Sequence, residues 1–156
     1  MIEPSAEVAA FCIDILASSQ MERQKNAIQH GTTTVWEHSL SVANACASLA
    51  YALPFRFHVR ALVRAALLHD YFLYDWHDRA TSRPHHATRH GSYARENAER
   101  DFSISAHEGD IIESHMFPLA EVPRTREAWM VCLVDKIISV QEVFASLQVK
   151  LMGVHG

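Results

Sequence analysis

The stretch AALLHDYFLYDWH, residues 65–77, decides how the rest of the chain reads. An apolar run, Ala65 to Leu68, leads directly into two ionisable neighbours, His69 and Asp70. Burying either bare is expensive, and a divalent cation satisfies a neutral imidazole and an ionised carboxylate together. Adjacent helical positions lie about 100° apart, so the pair can meet an ion only from one flank. Ligands from other elements must close the shell. The window around the pair, residues 57–74, is strongly apolar and reads as the central helix.

Working outward, apolar residues recur every three to four positions in long windows, and only five Gly and five Pro interrupt them. The first helix is expected over residues 6–25, with Val8, Phe11, Cys12, Ile15 and Leu16 on one stripe. A second opens at the capping box Thr34 to Glu37 and runs to about residue 53, before Pro54. Residues 75–89 are polar and read as a long loop over one face, the kind of loop that often carries function. Further helices follow over 92–100, over 105–116 from the capping box Ser105 to Glu108, and over 124–152 after Pro123. No stretch alternates as a strand. The expectation is an all-α, single-domain bundle of about six helices.

Bulk properties narrow the function. The 156 residues suit one domain with a full hydrophobic core. A net charge of −4 supplies no broad basic surface, which argues against duplex nucleic acid as the main partner. Cys12, Cys46 and Cys132 lie far apart in apolar stretches and read as buried thiols of a reducing compartment. No run of 18 apolar residues and no basic leader occurs, so a cytoplasmic protein without membrane contact is expected. A homo-oligomer remains compatible with all of this. The outlying feature is histidine, with eleven residues, the commonest metal ligand and the usual acid/base at neutral pH.

Several other polar residues face inward by periodicity. His38 shares a stripe with Val35, Val42, Cys46 and Leu49, and Asp135 sits among Val131, Cys132, Val134 and Ile138. Taken alone, His38 reads as a hydrogen-bonded core residue, and Asp135 as a buried partner of Arg60 or Arg64. Taken together, His38, His69, Asp70 and Asp135 offer two imidazoles and two carboxylates from three helices. Such a nitrogen and oxygen shell suits Fe, Mn, Zn, Co or Ni and leaves positions open. His90, at the end of the polar loop, and His115, four residues after Ile111, can reach the same pocket. With Asp70 bridging, they would hold a second ion, the arrangement that clamps phosphate oxygens. His77, His85 and His86 read as solvated loop residues, although His86 stands four residues before His90. His30, His58, His107 and His155 read as incidental.

His38 in WEHSLSVA, His69 and Asp70 in AALLHDYFLYDWH, and Asp135 in LVDKI resemble the H…HD…D signature of the HD superfamily of metal-dependent phosphohydrolases, over about residues 34–140. RHGSYARENA around His90 and IIESHMFPL around His115 are similar to the extra histidines of its dinuclear branch. The resemblance implies a helical bundle with a central site for one or two divalent transition metals. It also implies hydrolysis of a small phosphate ester or anhydride, a nucleotide among the candidates, by a metal-activated water. Leu73 departs from the pattern, since relatives carry lysine or glutamate there, and Gly91 replaces a proline, which should matter little. Asp70 would serve both metals and chemistry, and Asp75, Asp78 and His86 are the candidates for protonating the leaving oxygen. Two other readings share the ligand set: a di-iron oxygenase of the same superfamily, and a non-catalytic metal- or nucleotide-binding module.

Overall fold

The computed structural model describes residues 2–76 and 83–153. In chain order these form α1 (Ala6–Phe11), α2 (Ile13–Leu16), α3 (Met21–Asn26), β1 (Ile28–His30), β2 (Thr33–Thr34), α4 (Val35–Ala52), α5 (Val59–Leu68), α6 (His86–Asp101), α7 (Ala106–Ser114) and α8 (Arg126–Gly153). The all-helical expectation holds, cut more finely than six helices.

Helix α5 is the axis. Every residue from Leu62 to Leu68 is buried, and the helix packs against α1, α4, α6, α7 and α8. Its neighbours contribute the apolar faces their periodicity predicts, including Leu40, Val42 and Cys46 of α4, Ile111 and Ile112 of α7, and Val131 and Val134 of α8. Both capping boxes form: the Thr34 hydroxyl accepts from the Glu37 N–H and the Ser105 hydroxyl from that of Glu108, with each glutamate reaching back.

Arg64, buried at the middle of α5, joins three elements. Its guanidinium donates to Asp14 in a two-pronged contact (2.5 and 2.9 Å), to Glu108 Oε1 (3.0 Å) and to the Phe11 carbonyl (3.0 Å). Those hydrogen bonds hold the Asp14 carboxyl below its usual range. Asp135 is thus no partner of Arg64, and Arg60 approaches Glu108 (3.7 Å) instead.

Four boundaries differ from the sequence reading. The first helix is three short pieces, because the backbone leaves helical geometry at Cys12 (φ −116°) and turns again before Met21; the Phe11 carbonyl at the first break is the one Arg64 takes. The central helix ends at Leu68 instead of continuing to residue 74. The chain then turns sharply, with side chains of Gln24 and Asn97 donating to the Asp70 and Tyr71 carbonyls (3.1 and 3.0 Å), and Leu73 in the left-handed region (φ 62°). Helix α6 starts at His86, one residue after the left-handed His85, so the end of the expected polar loop is helical. Residues 28–34 form a small antiparallel ribbon that no alternation announced. Its turn passes through Gly31 at φ 59°, where an added Cβ would lie 2.3 Å from Ser146 Oγ of α8.

Candidate metal centre

Four helix ends and faces bring the imidazoles together. His69 caps α5 and His115 caps α7, both at C-terminal ends; His38 lies in the first turn of α4 and His90 in the second turn of α6. Asp70 follows His69 directly, and Asp135 comes from α8. All six are buried. Gly91 is what lets α6 come this close to α7, because a Cβ there would sit 2.8 Å from the Glu113 carbonyl oxygen.

The ring tautomers follow from the backbone. His69 Nδ1 faces the Ala66 carbonyl (2.8 Å), His90 Nδ1 that of His86 (3.1 Å) and His115 Nδ1 that of Ile112 (2.6 Å). A carbonyl only accepts, so each Nδ1 carries a proton and donates it, which leaves Nε2 as the atom that can turn a lone pair toward the centre when the ring is neutral. His90 Nε2 and His115 Nε2 stand 2.9 Å apart. Two lone pairs at that distance repel unless a proton or a cation lies between or beside them.

Asp70 sits with a different pair of rings on each oxygen. Its Oδ2 is 3.3 Å from His69 Nε2 and 3.8 Å from His38 Nε2, while its Oδ1 is 3.2 Å from His90 Nε2 and 3.6 Å from His115 Nε2. Asp135 Oδ1 lies 3.1 Å from His38 Nε2 and 3.7 Å from His69 Nε2. Despite these approaches, His69 Nε2 and Asp70 Oδ1 have no partner of hydrogen-bonding geometry, in positions closed to solvent. Orphaned donor atoms of this kind, on a mixed nitrogen and oxygen set, fit a divalent cation. His38, His69 and Asp135 form one ligand-spaced group and His69, Asp70 and His115 another.

In the metal-free molecule the electrostatics are strongly polarised. For His38, burial pulls the pKa down, but hydrogen bonds to Asp135 and Glu142 outweigh it and raise it to about 9. For His69 burial is likewise overcome, chiefly by the Asp70 charge, and the pKa lies well above the ordinary value. Burial would raise Asp70 and Asp135, but the neighbouring imidazoles hold both well below the carboxylate range. His115 goes the other way, lowered to about 3 by burial and then by His69 and His90, so its ring is neutral.

A cavity of about 410 Å³ opens onto the cluster, lined in part by Asp70, His90, His115 and Asp135. His86 is on its wall, its ring stacked on His90 and on Trp76, with the Tyr74 hydroxyl 2.7 Å from its Nδ1. Asp75 is on the wall of a second cleft, of about 710 Å³, which it lines with Arg23, Arg83 and Arg100 and which also reaches Asp70. Asp78 and His77, the other acidic and basic candidates of that loop, lie outside the described residues, as does His155.

Two residues that the sequence reading passed over, and one, His30, that it took as incidental, lie at the centre. Glu142 Oε2 accepts from His38 Nδ1 (3.0 Å), Gln29 Nε2 donates to Asp70 Oδ2 (2.6 Å), and His30 is half-buried at the cavity, its ring 5.6 Å from that of His38. Glu142 stands seven residues after Asp135, two turns along the same helical face, a signal that was available. Gln29 and His30 ride on the ribbon and had none.

No curated protein and no solved structure matches the chain. The family model of the HD domain matches residues 35–139, a span that starts at the first residue of α4 and runs past Asp135 in α8. The chain belongs to the HD domain family, which consists mostly of metal-dependent hydrolases.

Proposed function

We propose that this protein is a metal-dependent phosphohydrolase acting on a small phosphate ester or anhydride, with nucleotides the first class to test. The observation that carries the reading is the convergence of three Nδ1-protonated imidazoles on a carboxylate whose two oxygens face different ring pairs. His38, His69, Asp70 and Asp135 would hold one divalent ion, and Asp70, His90 and His115 a second. Ions bound there supply Lewis acidity, which lowers the pKa of a water ligand and offsets the charge of phosphate oxygens.

The chain's own groups do the rest. The Nδ1 hydrogen bonds fix three rings, and Glu142 does the same for His38, so little reorganisation is needed when substrate arrives. Gln29 keeps Asp70 from rotating. Met116, Phe117, Pro118 and Leu119 form an apolar wall of the cavity. His86 and His30, on the same walls, are placed to give a proton to the leaving oxygen, while Asp75 is better placed to meet substrate atoms in the arginine-lined cleft.

The test is phosphate release from a nucleotide panel by metal-stripped protein reloaded with Mn, Fe, Co or Mg. Activity with at least one metal, lost by a factor of about 10³ or more in Asp70→Ala, is expected. Inactivity with every metal, or an undiminished Asp70→Ala variant, overturns the proposal.

A further inference from the structure

Helix α8 is 28 residues long, and among the described residues one of its faces has no cover. Leu133, Ile137, Val140, Phe144, Leu147 and Leu151 are between 49% and 69% exposed. Their spacings are four, three, four, three and four, the repeat of a coiled-coil seam. Trp129 extends the row by one more turn. The opposite face of the same helix supplies Val131, Val134 and Asp135 to the interior, so the exposed row is no by-product of a wholly apolar helix. The seam positions carry no ionisable group.

We propose that this face binds a second copy of the chain, with the two α8 helices packed antiparallel about a two-fold axis at the level of Glu142. The area is right. Half-exposed side chains of this size leave on the order of 100 Å² each. The row with Leu119 and Val122, both 56% exposed, thus offers on the order of 800 Å², what one partner contributes to a stable interface and more than a monomer ordinarily leaves bare. The pattern is self-complementary in this orientation: Leu133 meets the partner's Leu151, Ile137 the partner's Leu147, and Val140 the partner's Phe144.

The protruding end of α8 selects antiparallel over parallel. From Val143 onward most side chains are exposed on more than one side of the helix, Val149 and Met152 among them. A two-helix seam alone cannot cover them. In the antiparallel arrangement they lie over the apolar surface beside Trp129, where the Phe117 and Trp129 rings meet edge to face (5.4 Å) and Leu119 and Val122 are bare. Val140 and Leu119 also line the 410 Å³ cavity, so the partner helix runs along the mouth of the metal centre and narrows it. This inference stands independently of the proposed chemistry.

Sedimentation equilibrium at micromolar concentration tests it, with circular dichroism confirming that each variant is folded. The wild type should sediment at about twice its 17.6 kDa chain mass. Ile137→Glu and Leu147→Lys, each at an exposed position, should sediment as monomers with unchanged helix content. The double variant should return to a dimer, because each introduced carboxylate then faces the partner's introduced ammonium. In a parallel pair like charges would meet instead, so a double variant that stays monomeric overturns the antiparallel geometry. A wild type that is monomeric throughout, whether free or floated on phosphatidylcholine vesicles, overturns the proposal as a whole.

Discussion

The imidazoles of the centre are set by the groups behind them. In His69, His90 and His115 the backbone fixes the tautomer. His38 is different, because carboxylates face both of its nitrogens in the metal-free chain. Its pKa of about 9 stands above the ordinary 6.5. Its contribution to stability is therefore complete below 6.5 and is lost as pH rises through about 9. His115, lowered to about 3, acts in the opposite sense: its contribution is present above 6.5 and disappears as pH falls toward 3. Ligation through His38 Nε2 displaces a proton, so metal uptake by stripped protein near neutral pH should release at least one proton. Calorimetry in two buffers of different protonation enthalpy measures this, and uptake without proton release contradicts the assignment of His38. Glu142→Gln keeps a neutral acceptor for His38 Nδ1 and should weaken metal affinity about 10-fold without unfolding the chain. An affinity equal to wild type would remove Glu142 from the account.

Helix α6 reaches α7 only because Gly91 has no side chain. Gly91→Ala puts a methyl 2.8 Å from the Glu113 carbonyl, which must push the helices apart and separate His90 from His115. Expected are a loss of about 1–3 kcal/mol in denaturant unfolding and one bound metal equivalent fewer; a variant with full stability and full metal content would show that the approach is not needed. Arg64→Met leaves Glu108, 1% exposed, with only the longer 3.7 Å contact to Arg60 and should cost about 3 kcal/mol, seen in the same unfolding measurement. How much of this was written in the sequence depends on the element. Helices α4, α5, α7 and α8 were legible because amphipathic periodicity and two capping boxes mark them, and with them came His38, His69, Asp70, His115 and Asp135. The start of α6 was hidden by the polar run His86 to Arg89, where periodicity has nothing to register. The turn after α5 was hidden because Leu73 adopts a conformation that sequence associates with glycine. Gln29, carried on a two-strand ribbon, is defined only by tertiary contact.

At the scale of the whole molecule, five helices bring a cluster of imidazoles and carboxylates into the interior, in a chain that belongs to the HD domain family. Among the described residues no helix is long and apolar enough to cross a membrane, and the largest uncovered apolar surface runs along α8. A metal that binds folded chain alone stabilises it by mass action, about 2.7 kcal/mol at 100 times its Kd. Thermal melts with and without a chelator should therefore separate by several degrees in wild type and coincide in Asp70→Ala; an equal separation in both would place the ion elsewhere. The central claim is that six residues hold two ions sharing Asp70, and elemental analysis of purified protein tests it most directly. The account predicts about two equivalents of divalent transition metal per chain, about one in His115→Ala and close to none in Asp70→Ala. A wild type that binds no transition metal after reloading, or an Asp70→Ala variant that keeps the full amount, would contradict it.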